Sequence, residues 1–259
     1  MTRIAFVIIA TQAQPWAAIH TDGQVPTWLA GLGATETYFC AYSSGSAGES
    51  WISKTDHRKI EYARNANKSF LIKQPKLQNA HHGVFEAVNG YGSLITCTLS
   101  AMSHLIQTFQ PDYIVRTNVS SYWNLARLRS LLRTAPATNY YAGLPHRLYG
   151  GLYGRLNRAG YAAGAGFVIS ADVAAQFVKY YNKFSTTFID DMAFGLQARR
   201  LRLALTPSTG WIWKAIPLPK SARWRNLPRT TTCAARATSA RMITGNAMMP
   251  RLCIPFTPE

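Results

Sequence analysis

Tyr113–Leu128, YIVRTNVSSYWNLARL, is the stretch whose reading decides the fold. Tyr113–Thr117 is apolar or β-branched apart from Arg116, the composition of a buried strand. The polar turn Asn118-Val119-Ser120 follows it. A helix, Asn124–Arg133, then lines up Leu125, Leu128, Leu131 and Leu132 on one face and turns Arg127, Arg129 and Arg133 outward. Upstream, Leu94, Thr98, Leu99, Met102, Leu105, Ile106 and Phe109 recur at helical spacing and stop before Pro111. Further back, Ile4–Ala10 and Thr37–Tyr42 read as strands, with a short helix near Pro26–Leu32 between them. The Ser/Gly-rich Ser43–Ser50 reads as a turn and Ser69–Lys73 as a short third strand. Downstream, Phe167–Ser170 is a strand, Val173–Tyr181 a helix, and a further short helix begins at Asp190-Asp191. Strands alternating with helices predict an α/β fold with a mostly parallel central sheet flanked by helices.

The chain has 259 residues, of which 47% are hydrophobic and 15% charged, which excludes intrinsic disorder and supplies a sizeable core. No separating linker or internal repeat is visible, so 1–259 reads as a single domain. Its 28 Lys and Arg against 11 Asp and Glu give a net charge of +17, which calls for an anionic partner without saying which. Cys40, Cys97, Cys233 and Cys253 lie far apart with no Cys-x-x-Cys, and read as reduced, buried thiols rather than a zinc knuckle or disulfide scaffold. The apolar Ile4–Ala10 is followed by polar Thr11-Gln12, not by a small-residue cleavage pattern, and no apolar run reaches membrane-spanning length. A cytoplasmic location is the expectation. His81-His82 sits in a polar stretch with no second cluster at metal spacing and reads as a loop without a metal. The Asn67 and Asn118 sequons read as chance matches.

Seven glycines fall between Gly143 and Gly166, interleaved with Tyr149, Tyr153 and Tyr161. That mixture fits either an ordinary surface loop or a backbone that approaches a ligand closely while aromatic faces stack on it.

Three segments carry a family resemblance. Tyr113–Leu128 resembles the nucleotide-sugar-binding segment of β-1,3-galactosyltransferase and fringe-like glycosyltransferases, where a similar strand ends in Asp-x-Asp. Tyr161–Phe177 (YAAGAGFVISADVAAQF) resembles their Gly-x-Gly-aromatic strand and Ser-x-Asp helix start. Ile189–Arg199 (IDDMAFGLQAR) resembles their acidic-pair motif. The three occur in the family's order across about a third of the chain. The resemblance implies a single GT-A-like domain, with 1–125 binding the nucleotide-sugar and 126–259, ending in a basic segment, binding the acceptor. It implies Asp191 as general base with Asp190 beside it, and donor binding by Ala10, Thr11, Arg116, Thr117, Asn118 and Ser120. Acceptor binding falls to Tyr161, Gly164, Ala165 and Gly166. The implied partners are a nucleotide-sugar donor and a glycan or lipid-linked acceptor, with peripheral contact to an anionic membrane at its inner face and no nucleic acid.

The chemistry explains why an acid pair is needed. Inverting transfer requires one carboxylate to take the acceptor hydroxyl's proton, and a cation to offset the charge of the departing diphosphate. Asp190-Asp191 is the only adjacent acid pair in the sequence, although either residue could equally cap the following helix. The family expects a divalent metal, manganese, but its ligands are missing. Asn118-Val119-Ser120 replaces Asp-x-Asp, no His follows His146, and Cys97 stands roughly where many relatives carry Lys. No metal site is therefore expected, and metal dependence should be weak or absent. Arg116, Arg223 and Arg225 are the candidate replacement cations, since guanidinium forks fit phosphate, or else they are solvated surface charges. Two other readings remain: a nucleic-acid-binding basic protein, or a catalytically inactive sugar-binding relative.

Overall fold

The computed structural model describes residues 1–12, 14–43, 74–85, 91–146, 160–185, 189–207 and 212–214, and Met1–Lys214 forms one compact unit. Its centre is β1 (Ile4–Ala10), buried along its whole length because both sides of the sheet are covered. Side chains alternate across the strand. Ala5, Val7 and Ile9 join Ile95, Leu99, Met102, Val173, Phe177 and Phe194 on one side. Ile4, Phe6 and Ile8 join Trp28, Leu29, Trp123, Leu125 and Leu128 on the other.

On either side of β1 lie β2 (Glu36–Ser43) and, in sequence after the antiparallel pair β3 (Lys76–Asn79) and β4 (His82–Phe85), β5 (Tyr113–Asn118). Short β6 (Ser121–Trp123) follows β5, then β7 (Tyr141–His146), β8 (Tyr161–Ser170), β9 (Thr206–Pro207) and β10 (Ile212–Lys214). The eight-stranded sheet runs β3-β4-β2-β1-β5-β8-β7-β9, and β10 pairs with β6 apart from it. Only β3 and β8 run against the rest, so the sheet is mixed and mostly parallel, as the alternation of elements requires. Strand order turns around at β1, placing the ends of β1 and β5 side by side with Ile9 opposite Asn118. Crevices at such turning points are where open α/β sheets bind ligands.

The helices follow the apolar spacing. α1 (Trp16–Ala18) runs into a π-helical turn, Ile19–Gln24. α2 (Tyr91–Thr108) buries Ile95, Leu99, Met102 and Leu105 and ends where Gln110 takes a left-handed φ of 52° ahead of Pro111. α3 (Leu125–Leu132) is capped by Asn124, whose side chain accepts the Arg127 N–H at 3.0 Å. α4 (Ala171–Lys179) and α5 (Asp190–Arg200) pack with α2 on one side of the sheet. No described helix is long and apolar enough to cross a membrane.

Four expectations need correction. The helix read at Pro26–Leu32 lies earlier, at Trp16–Gln24, and only Leu29–Gly31 forms a 3-10 turn. His82 is in strand β4 rather than a loop; at four residues, HGVF, the strand is too short to show an alternation. Tyr161–Gly166 extends the strand read at Phe167 back by six residues. Tyr141–His146 is a strand as well, so the described flanks of the Gly/Tyr segment are paired backbone. The turn at Ser43–Ser50 (past Ser43 itself), the strand at Ser69–Lys73, the sequon at Asn67, residues 147–159, Arg223, Arg225, Cys233 and Cys253 lie outside the described residues.

Candidate functional site

Alternation along β5 puts Ile114, Arg116 and Asn118 on the side of the sheet that carries α2, α4 and α5. Arg116 is therefore buried, at 3% exposure, and needs partners there. Its Nη2 makes an ion pair with Asp190 and its Nη1 donates to the Gly164 carbonyl at 2.6 Å. The second acceptor position of that carbonyl takes the Asn118 side-chain amide at 2.9 Å. The Gly164 N–H donates to Asp191 Oδ2 at 2.8 Å. One glycine of β8 thus joins the Asn118 turn to the acid pair, 46 and 27 residues away in sequence. A Cβ there would lie 3.1 Å from Asp191 Oδ2 and 3.6 Å from Arg116 Nη1, so the residue is small because two charged groups converge on it.

Asp190 and Asp191 are the first two residues of α5, a placement the helix dipole favours. Neither caps it: the capping residue is Ile189, without a side-chain bond. The two differ in environment. Asp190 faces the Arg116 guanidinium, whereas among the described residues Asp191 accepts only amides, Gly164 on Oδ2 and Met192 on Oδ1 at 2.8 Å. Burial raises the Asp191 pKa and the Asp190 charge raises it further; Arg116 and the two amides pull the other way without cancelling the rise. Burial, with the charge of Asp191 added, also pushes Tyr161 up to about 12.

The Asn118–Ser121 turn is held from several sides. Asn118 Oδ1 accepts the Ser120 hydroxyl at 2.9 Å and lies 2.8 Å from Ser121 Oγ, whose proton is shared with the Ala165 carbonyl at 2.5 Å. Thr117, fully enclosed, donates to Ala165 O at 3.0 Å and accepts the Trp123 indole N–H at 2.8 Å. It holds the turn from beneath. Trp123 fills the space left by Gly166, where a Cβ would meet it at 2.5 Å, and Gly195 of α5 leaves space against Tyr161 in the same way. The small residues Gly164, Ala165 and Gly166 are accordingly covered by the protein's own side chains and backbone bonds. Ala10 ends β1 beside the Ile9–Asn118 register, with Thr11 directly after it. Asn118 and Ser120 carry no carboxylate, and Asn118 Oδ1 is engaged by hydroxyls, so this segment does not fit manganese.

A second cluster was not legible in the sequence. His20 of the π-helical turn, Cys40 of β2 and His82 of β4 each offer a metal-ligating atom, and the three atoms lie within 4.8 Å of one another. Cys40 and His82 are register partners across β2 and β4. Cys40 and Cys97 are both free and buried, as expected of them; burial raises both thiol pKa values, that of Cys97 to about 12. Separations of 20 and 42 residues carry no motif, so no sequence signal announces the trio.

No protein-family model matches the sequence, and no curated protein sequence matches it. Among solved structures, it is similar to mouse xyloside xylosyltransferase 1 in its apo form, with a TM-score of 0.39 and 9% identity over 80% of this chain and 84% of that one. At that identity, residue roles do not transfer from one chain to the other.

Proposed function

We propose that this chain is an inverting glycosyltransferase moving a sugar from a nucleotide diphosphate sugar to a glycan or lipid-linked acceptor, with Asp191 as general base. The observation that carries the proposal is the junction at Gly164. Asn118 binds its carbonyl at 2.9 Å and Asp191 its N–H at 2.8 Å, so the turn at the strand end and the acid pair meet on one residue, which supports reading them as one site. A carboxylate whose pKa is raised by burial is a stronger base than an ordinary one, and Asp191 keeps 6% of its surface exposed. Asp190 is held by Arg116, which divides the work between the two acids.

In the reaction, the acceptor hydroxyl gives its proton to Asp191 as its oxygen bonds the anomeric carbon. The bond from that carbon to the diphosphate breaks, and the nucleotide diphosphate leaves with the electron pair. Asn118 and Ser120 at the strand end, with Ala10 and Thr11 beside them, face the donor. Arg116 serves by neutralising Asp190 rather than by touching phosphate, because it is buried at 3% exposure between Asp190 and the Gly164 carbonyl. Gly164, Ala165 and Gly166, covered by Trp123 and Asp191, serve the acceptor side by positioning that carboxylate, and Tyr161 lies near enough to feel its charge. The chain works as a single domain, and its surplus of +17 favours anionic donors and an anionic membrane surface near the acceptor.

The test has two steps. A thermal-shift panel of nucleotide diphosphates and nucleotide-sugars, with and without manganese, identifies the donor, because a ligand that binds only the folded state raises the melting point. Asp191→Asn should then lower turnover by about 10² or more while leaving the donor's thermal shift in place. Transfer that survives Asp191→Asn and fails in Asp190→Asn assigns the base to the other acid. Donor binding with no transfer in the unaltered protein makes it a sugar-binding relative, and no response to any nucleotide removes the proposal.

A further inference from the structure

The orientation of Gln24 fixes the tautomer of His20. Gln24 Nε2 lies 3.1 Å from the Asn118 carbonyl and 3.0 Å from the Ser121 carbonyl, and two carbonyls can only accept, so the amide nitrogen belongs there. Gln24 Oε1 is then the atom 2.9 Å from His20 Nδ1, which must donate to it. The proton of the neutral ring sits on Nδ1 and leaves Nε2 with its lone pair; Cys40 Sγ lies 3.2 Å from Nε2 and 3.9 Å from Nδ1, beside the ring, so a turn of the side chains is needed to bring the lone pair onto a shared ion. On the other side, His82 Nδ1 is 3.1 Å from the Tyr42 hydroxyl. An imidazole anchored through one nitrogen, with the other left available as a ligand, is the outer-shell arrangement that metal-binding histidines show.

We infer that His20, Cys40 and His82 bind one Zn²⁺ ion through a thiolate and two imidazoles, with water in the fourth position. The donor set decides the metal: sulfur and imidazole nitrogen suit Zn²⁺, whereas manganese and magnesium want oxygen. The spacing agrees. With bonds of about 2.3 Å to sulfur and about 2.0–2.1 Å to nitrogen, tetrahedral ligand atoms stand about 3.3–3.6 Å apart. Cys40 Sγ and His20 Nε2 are already at 3.2 Å, and a trio within 4.8 Å closes by side-chain rotation on three packed elements. Binding exchanges the Cys40 thiol proton for the metal, the proton leaving to solvent.

The ion ties three separate pieces of the fold together: the π-helical turn, β2 and β4. Through His20 and Gln24 it also braces the backbone of Asn118 and Ser121, the same turn that closes the candidate site. The inference concerns a different donor set from the acid pair and stands whether or not the chain transfers sugar.

The test uses the full chain, stripped of metal with a chelator and titrated with Co²⁺ as a spectroscopic stand-in for Zn²⁺. One equivalent should give a thiolate-to-cobalt charge-transfer band with the visible bands of a tetrahedral site. Zn²⁺ should abolish both, and Mn²⁺ at the same concentration should not. Cys40→Ser should lose the charge-transfer band while Cys97→Ser keeps it. His82→Gln, at a partly exposed position that tolerates change, should weaken Zn²⁺ binding on the order of 10²-fold, since loss of an outer-shell partner alone costs about 10–100-fold. A wild-type chain without the band, a band that persists in folded Cys40→Ser, or unchanged affinity in His82→Gln overturns the inference.

Discussion

Replacing Asp190 by Asn tests the physical core of the site. Arg116 and Asp190 have side-chain exposures of 4% and 12%, so their ion pair behaves as a buried one and not as a surface contact. Asn keeps the shape and removes the charge. The guanidinium then keeps only uncharged acceptors, the new amide oxygen and the Gly164 carbonyl, and among the described residues its Nε lacks a partner. An unpaired charge in that position costs about 3–5 kcal/mol, a large share of the roughly 5–15 kcal/mol that holds a domain folded. For a unit of this size, that lowers the melting temperature by roughly 6–20 °C. Urea unfolding followed by tryptophan fluorescence and circular dichroism reads the loss. The double variant Arg116→Met with Asp190→Leu removes both charges and should recover most of it, because well-packed apolar groups replace buried pairs at little cost. A loss under about 1 kcal/mol in Asp190→Asn, or a double variant no more stable than the single one, would refute the claim that this pair is closed to solvent.

Other expectations are smaller. Glu36→Gln, against an Arg129 whose side chain is 41% exposed, should cost only about 0.5–1.5 kcal/mol in the same urea assay. The pH dependence of stability, followed from about pH 3 to 7, should slope in opposite directions for two acids. Burial alone would raise the Glu36 pKa, but the Arg129 and Gly33 hydrogen bonds outweigh it and the value is lowered, so its stabilisation is present above the ordinary carboxylate range and lost as pH falls through the folded value. The Asp191 pKa is raised, so its contribution is greatest in acid and is lost as pH rises through the folded value; Asp191→Asn should therefore gain on the wild type with rising pH. Gly195→Ala places a Cβ 2.3 Å from Tyr161 Cβ and should cost about 1–3 kcal/mol by calorimetry, whereas Gly23→Ala, with nothing within 4 Å, should be neutral or mildly stabilising. Gln24→Leu should weaken Zn²⁺ binding about 10–100-fold with His20, Cys40 and His82 all in place.

What could be read along the chain was whatever neighbouring residues decide. β1 is buried on both sides and apolar throughout, β2 and β5 carry apolar or β-branched runs broken by a few polar residues, and α2, α3 and α4 carry their apolar stripe at helical spacing. The acid pair and the Asn118 turn were visible for the same reason: each lies within a few residues, at the end of an element whose type the local pattern fixes. β3, with every residue exposed, and β4 beside it had no such pattern, and His82 was misplaced with them. The tertiary structure alone decided the partners. Arg116 was a free choice among phosphate, solvent and acid until β5 and β8 paired antiparallel and α5 brought Asp190 to it from 74 residues away. The glycines and alanines of β8 looked like room for a ligand until Trp123, Asp191 and α5 took that room. His20, Cys40 and His82 converge because β2 and β4 pair with Cys40 opposite His82 and a helical turn folds over them. Side-chain chemistry is local, but convergence depends on sheet register and helix docking, and those are set by the core as a whole.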